Sequence, residues 1–247
     1  MGLHRIKRGL RLPILGEPSE QIDSAKSPRK VALLGSDYVG MRPTMQVTVG
    51  DTVRRGQLLF EDKKMPGVRF TSPAAGKVSA VNRGAKRAFQ SVVIDLSRTE
   101  MEGKTGSADE VSYSSYASKP LSGLSEQDVR DLLIESGLWT ALRARPFGKV
   151  ANPAEKPHSL FVTATDTNPL APPVSAVLAG KESLFQKGLT VLSKLTEGPV
   201  FVCTDAQTSI QLPDGERFRH EQFTGPHPAG SVGVHIHTLD PVDRNKV

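Results

Sequence analysis

The sequence predicts an α+β chain of more than one domain: a small all-β module first, then an α/β module. Three observations carry this reading. The chain has 247 residues, between one and two domains at roughly 150 residues each. Six short apolar runs, each closed by Gly, Pro, Asn or Asp, fall between residues 30 and 96, a density that suits a small barrel or sandwich. The second half instead alternates strand and helix patterns, which implies parallel pairing. With Gly 22 and Pro 18, an all-helical bundle is excluded.

The six runs are Lys30–Gly35, Met45–Val49, Leu58–Phe60, Val68–Phe70, Lys77–Val81 and Ser91–Leu96. Between them Gly50-Asp51 supplies a tight turn, Val53 points inward, Gly56 permits a second bend, and Pro73 with Gly76 makes the mirror turn of a second half. This quasi-repeat resembles the barrel-sandwich hybrid of biotinyl and lipoyl carrier domains. In those domains the hairpin between the halves presents a lysine for covalent modification, and Glu61-Asp-Lys-Lys-Met-Pro-Gly67 occupies that interval here. Lys63 and Lys64 are therefore candidate modification sites, and equally a solvated hairpin tip.

In the second half, Ser125 reads as an N-cap, with Val129, Leu132 and Leu133 as the apolar stripe of a helix that Gly137 ends. A shorter helix follows over Leu138–Arg143. Ser159–Ala164 reads as a buried strand, Glu182–Leu195 as an amphipathic helix and Pro199–Cys203 as a second strand. Ligands of such sheets bind beyond the carboxyl ends of the strands, at Thr165–Pro169 and Thr204–Ala206. Asp166 and Asp205 at these ends are either a carboxylate pair or turn caps. His235 and His237 alternate along Val232–Leu239, so on a strand they share a face and could chelate a metal. Cys203 reads as core filler.

One cysteine excludes an internal disulfide, a Cys-rich zinc site and a cluster needing about four thiolates. There is no G-x-G-x-x-G, Walker loop or G-x-S-x-G. No run approaches the ~18 apolar residues of a membrane helix, so the expected location is cytoplasmic. The charge is lopsided: residues 1–100 hold 18 Lys+Arg against 9 Asp+Glu, and the remainder 14 against 17. The basic part implies an anionic partner, a membrane surface or an acidic protein face. Aromatic content of 5% argues against nucleic acid, which needs stacking platforms. The docking candidates are Arg42, Arg54, Arg55, Lys63, Lys64, Arg83, Lys86 and Arg87.

Ile6–Ile14, Val31–Met45, Phe60–Lys64, Pro73–Lys77, Val81–Arg87, His227-Pro-Ala-Gly230 and Gly233–His237 together resemble the A subunit of the sodium-translocating NADH:quinone reductases. The resemblance implies segments at 1–29 (N-terminal), 30–100 (barrel-sandwich hybrid), 101–120 (linker) and 121–247 (an incomplete α/β domain related to the flavoprotein subunit of respiratory complex I). It also implies that further C-terminal domains are missing. The function it implies is a peripheral subunit on the cytoplasmic side of a membrane complex that couples electron transfer from NADH to ubiquinone to sodium export. Its partners would be the other subunits, membrane-embedded ones included, and quinone. Where the complex I relative has a glycine-rich loop for FMN and NADH, this chain has Leu138–Lys149 with Gly148 alone, too few exposed amides for a phosphate cradle. The expectation is that NADH, flavin and ubiquinone serve the whole complex while this chain binds no cofactor, supplies no catalytic residue or metal ligand, and acts in docking and quinone access. A lysine-modified carrier and a flavin- or NADH-binding enzyme are the competing readings.

Overall fold

Gly2–Arg5, the first strand (β1), pairs in parallel with a strand near the far end of the chain, Gly2 standing opposite Glu221. The computed structural model describes residues 2–16, 18–243 and 246. The chain divides into two units: Ala25–Ser118 with Gln127–Glu155, and Met1–Ser24 with Lys119–Glu126 and Lys156–Val247. The first residues thus enter the α/β unit rather than standing apart as the 1–29 segment expected above. Residues 127–155, expected within the α/β domain at 121–247, cluster with the β unit.

The β unit holds two antiparallel sheets. One orders β2 (Lys30–Leu34), β8 (Phe89–Leu96), β7 (Gly76–Arg83) and β4 (Thr52–Val53); the other orders β3 (Pro43–Met45), β5 (Leu58–Asp62) and β6 (Arg69–Thr71). Alternate apolar residues face inward, so Val53, Leu59, Phe60, Phe70, Val78, Val92 and Ile94 are at most 1% exposed. Each fully buried side chain of this size contributes about 1.5–3 kcal/mol. Phe60 stacks on Phe70 with centroids 4.6 Å apart. Gly56 has φ +82° and a Cβ there would strike the Tyr113 hydroxyl, so the second bend needs glycine for both reasons. The Met45–Val49 strand is shorter than expected: only Pro43–Met45 pairs.

After the short α1 (Arg98–Met101), helix α2 (Glu126–Glu135) ends at Gly137, φ +80°. The helix expected at Leu138–Arg143 is a 3-10 turn over Leu138–Ala141 followed by a two-stranded ribbon, β9 (Arg143–Ala144) against β10 (Lys149–Val150). Trp139 is buried beneath it and donates Nε1–H to the Ala151 carbonyl at 2.8 Å.

The α/β unit is a fully parallel sheet in the order β1, β13 (Phe218–Thr224), β12 (Val200–Thr204) and β11 (Leu160–Ala164). Central β12, Val-Phe-Val-Cys-Thr, is buried at every residue, as a strand covered on both faces must be. On one face Val202 and Ala164 meet Leu189 of α4 (Glu182–Leu192), which follows α3 (Val174–Leu178); on the other, Phe201, Cys203 and Phe223 meet Val234 and Leu239. Val232–Leu239 is therefore helix α5, not a strand. Its apolar–polar alternation fits a period of two, but Val234 and Leu239 reach the sheet only on a helix. His235 and His237, two residues apart and so roughly 200° around that helix, do not share a face, which removes the chelate.

Candidate functional site

At the carboxyl edge of the parallel sheet, the loops that follow β1, β11 and β13 enclose a groove of about 870 Å³. Its wall is mixed: Leu10, Leu12, Ile14, Leu170 and Pro226 line it together with Arg11, Thr167, Asn168 and His227. The loops are drawn together by backbone. Ile6 N–H donates to Thr224 O and Leu10 N–H to His227 O, both at 2.8 Å. A Cβ on Gly9 would collide with the His227 carbonyl, and one on Gly225 with the Ile6 carbonyl. Thr167 Oγ1 accepts the Gly230 amide at 2.9 Å and lies 3.1 Å from His227 Nδ1.

The two aspartates at this edge are turn caps. Asp166 Oδ1 accepts from the Asn168 amide at 2.8 Å and its side-chain NH2 at 2.7 Å. Asp205 accepts from the Gln207 and Thr208 amides at 2.7 Å and from the Thr208 hydroxyl at 2.8 Å. Both thus serve the turns that follow their strands, Asp166 through Oδ1 alone and Asp205 through both oxygens. Cys203 is buried, and burial pushes its thiol up to about 12, far from thiolate chemistry. His235 is fully buried, its Nε2 donates to Ala229 O at 2.8 Å, and desolvation lowers its pKa; His237 is exposed. Among the described residues no three His, Cys, Asp or Glu gather as metal ligands would.

In Leu138–Lys149, where a phosphate cradle would lie, three amides are spent locally: Thr140 N–H donates to Gly137 O, Leu142 N–H to Trp139 O, and Gly148 N–H to Ala144 O at 2.9 Å. None of these donors turns outward as an anion cradle requires.

Seven of the eight basic candidates are exposed, and Arg55 is half-buried. Arg42, Lys63 and Lys64 come together because Asp62 Oδ1 accepts both the Arg42 and Lys64 amides, at 3.0 and 2.9 Å. Arg83, Lys86 and Arg87 lie about the β7–β8 turn, where Arg83 Nη1 donates to Arg87 O at 3.3 Å. Arg54 stands with Lys77 on a smaller groove of about 330 Å³. Arg55 is tied down: its Nη2 meets Glu100 Oε1 at 2.6 Å, and Glu100, only 11% exposed, also accepts the Ala75 amide.

Two family models account for most of the chain. The NqrA N-terminal barrel-sandwich hybrid domain matches residues 4–97, and the NqrA second alpha/beta domain matches residues 124–247. The chain belongs to the NqrA family. Among curated proteins it is 51% identical over 242 residues to the A subunit of the Na(+)-translocating NADH-quinone reductase of Alcanivorax borkumensis, covering 98% of this chain and 52% of that one. It is 49% identical over 242 residues to that of Cellvibrio japonicus, covering 98% and 52%. For Vibrio anguillarum the figures are 50% over 238 residues, covering 96% and 51%. The chain spans about half the length of the curated relatives it matches.

The NqrA likeness has a physical basis at the sheet edge, where Gly9 of the resembling stretches approaches the His227 backbone and Gly230 approaches the backbone of Asp166 and Thr167. Through the strand-end rule, sequence reasoning located one wall of the groove, Thr167–Pro169, but put the other at Thr204–Ala206, which does not line it; it missed the wall from Leu10 to Pro18 because β1 sits 219 residues from its partner. It also read Leu138–Lys149 only as a missing cradle and passed over what the ribbon carries, namely Arg143, Arg145, Phe147 and Lys149. Three cations around a Pro-Phe-Gly tip were the available signal.

Proposed function

We propose that this chain is a docking part of the NqrA component of a membrane complex that passes electrons from NADH to ubiquinone and exports sodium ions, and that it lies peripherally on the cytoplasmic side. The observation that carries this is identity of about half over nearly the whole chain to reductase components of that name. Among the described residues no helix is long and apolar enough to cross a membrane, and exposed cations favour attachment to an anionic surface. The groove at the sheet edge offers the aliphatic walls of Leu10, Leu12, Ile14 and Leu170 to a quinone, with Arg11 and His227 as polar groups beside them. The chain itself holds no flavin or NADH, and its electron carriers belong to neighbouring subunits. Purified chain is expected to be colourless and inert toward NADH. Joined to the rest of NqrA, it is expected to restore NADH-driven quinone reduction to a complex depleted of that component. Stoichiometric flavin surviving gel filtration would overturn the assignment.

A further inference from the structure

We propose that the β9–β10 ribbon and the two turns beside it form a surface that seats on anionic lipid headgroups. The inference rests on the docking reading above for its setting and goes beyond it in naming the surface and the partner. The ribbon tip exposes Phe147 at 75%, and Lys149 Nζ lies 5.8 Å from its ring centroid, so ring and charge form one unit. Lys149 also runs along the turn at Gly40, 3.9 Å from where a Cβ would stand, and next to Gly40 the turn exposes Val39 at 54%. Two residues on, the Arg42 carbonyl accepts the Lys63 amide at 2.8 Å, which brings the β5–β6 turn alongside.

Five exposed cations, Arg42, Lys63, Lys64, Arg145 and Lys149, thus belong to these adjoining turns together with the half-buried Arg143. None of them is ion-paired with a carboxylate among the described residues. Arg143 instead stacks over the Tyr38 ring at 5.1 Å. Of the carboxylates in these turns, Asp62 is 8% exposed and binds backbone amides, Glu61 faces Arg69 at 3.9 Å, and Asp37, exposed beside Tyr38, is the one acidic group left on this side among the described residues. Uncancelled positive charge around isolated apolar tips differs from a protein interface, whose centre is apolar and depleted of charge. It matches a headgroup anchor, in which an aromatic body sits at the interface and flanking cations attract phosphates.

The test is co-sedimentation of the chain with phosphatidylcholine vesicles and with vesicles containing phosphatidylcholine and phosphatidylglycerol in equal parts. The chain should bind the second kind only, and less as salt rises. Each Lys or Arg near an anionic surface is worth about 1 kcal/mol, so Arg145→Glu with Lys149→Glu should weaken partitioning roughly tenfold or more. Phe147→Ala should weaken it less, and Lys181→Glu with Lys187→Glu, exposed lysines of the α/β unit with the same charge change, should leave it unaltered. Circular dichroism of each variant checks folding. Equal binding to both vesicles, or equal loss in both double variants, would overturn the proposal. If the ribbon variant leaves vesicle binding untouched but slows association with detergent-solubilised membrane subunits, the partner is an acidic protein face: the lipid inference fails and the docking reading stands. If neither changes, both fail.

Discussion

Thr167 Oγ1 lies 3.1 Å from His227 Nδ1 while accepting the Gly230 amide at 2.9 Å. One hydroxyl thus ties the loop after β11 to the loop after β13 and closes one wall of the groove. Thr167→Val keeps the shape and removes both contacts, leaving a half-buried amide without its acceptor. The expected cost is about 1–3 kcal/mol of stability, and Thr167→Ser should recover most of it. Urea unfolding of the two variants makes the comparison.

Arg54 and Arg55 adjoin in sequence but differ in role. Because Arg55 holds the buried Glu100 that also receives the Ala75 amide, Arg55→Glu should destabilise the β unit by about 1–3 kcal/mol, a charged hydrogen bond being lost. Arg54→Glu should stay within about 0.5 kcal/mol, as exposed substitutions do. Thermal unfolding of each single variant reads this, and equal losses would remove Arg55 from the structural role given to it. Docking tests therefore belong on Arg54 and not on the pair.

Glu135 receives the Ser114 and Ser115 hydroxyls and amides, chiefly those of Ser115, which hold its carboxyl down at about 2 against an ordinary 4.5. Its folded value is depressed, so the unfolded chain binds the extra proton in between. The contribution is complete above about 4.5 and fades as pH falls toward 2. Glu135→Gln should flatten the stability profile of the β unit across that window, measured by denaturant titration at successive pH values. An unchanged slope would contradict the cause given.

His235 gives the α/β unit a different acid sensitivity. Burial lowers its pKa below 6.5, so below that value the unfolded state takes up a proton that the folded state does not. Stability is full above 6.5 and declines as pH drops through the folded value. Among the described residues its Nδ1 has no hydrogen-bond partner, and a proton there would be buried without one. Unfolding followed between pH 7 and pH 5 should show the loss in the wild-type chain and a smaller one in His235→Gln, the remainder coming from His220, whose pKa burial also lowers.

Strands β2, β5, β6, β7 and β8 were legible because each is a short apolar run between turn formers, whereas β3 was placed at Met45–Val49 and the two-residue β4 gave no run; the parallel β11–α4–β12 unit was legible because its periods differ. Strand β13, Phe-Arg-His-Glu-Gln-Phe-Thr, was not, since its polar residues find partners only in three dimensions: Arg219 over the Phe201 ring at 5.7 Å, His220 Nε2 at 2.9 Å from Thr204 Oγ1, and Glu221 with His4 at 2.8 Å. Strand β1 has four residues and no local signal, so the groove wall that follows it was hidden with it. The cations were visible individually. Their grouping depended on Asp62 as a shared acceptor, which no sequence spacing reveals.

The carrier alternative meets a structural observation at its own residue. Lys63 and Lys64 sit in a turn fixed by Asp62 and by the Met65 amide on Asp62 O at 3.1 Å. Intact-mass spectrometry of protein from native cells should show both lysines unmodified. A stoichiometric lipoyl or biotinyl adduct would replace the docking reading with a carrier one.

The central claim, that this chain attaches electrostatically to a membrane complex, is tested most directly by its association rate with the complex's membrane subunits at rising ionic strength. Screening acts over about 8 Å at physiological salt, so the rate should fall steeply between low and physiological salt, and Arg54→Glu with Arg145→Glu should fall less steeply from a lower start. A rate independent of salt in both proteins would contradict the account.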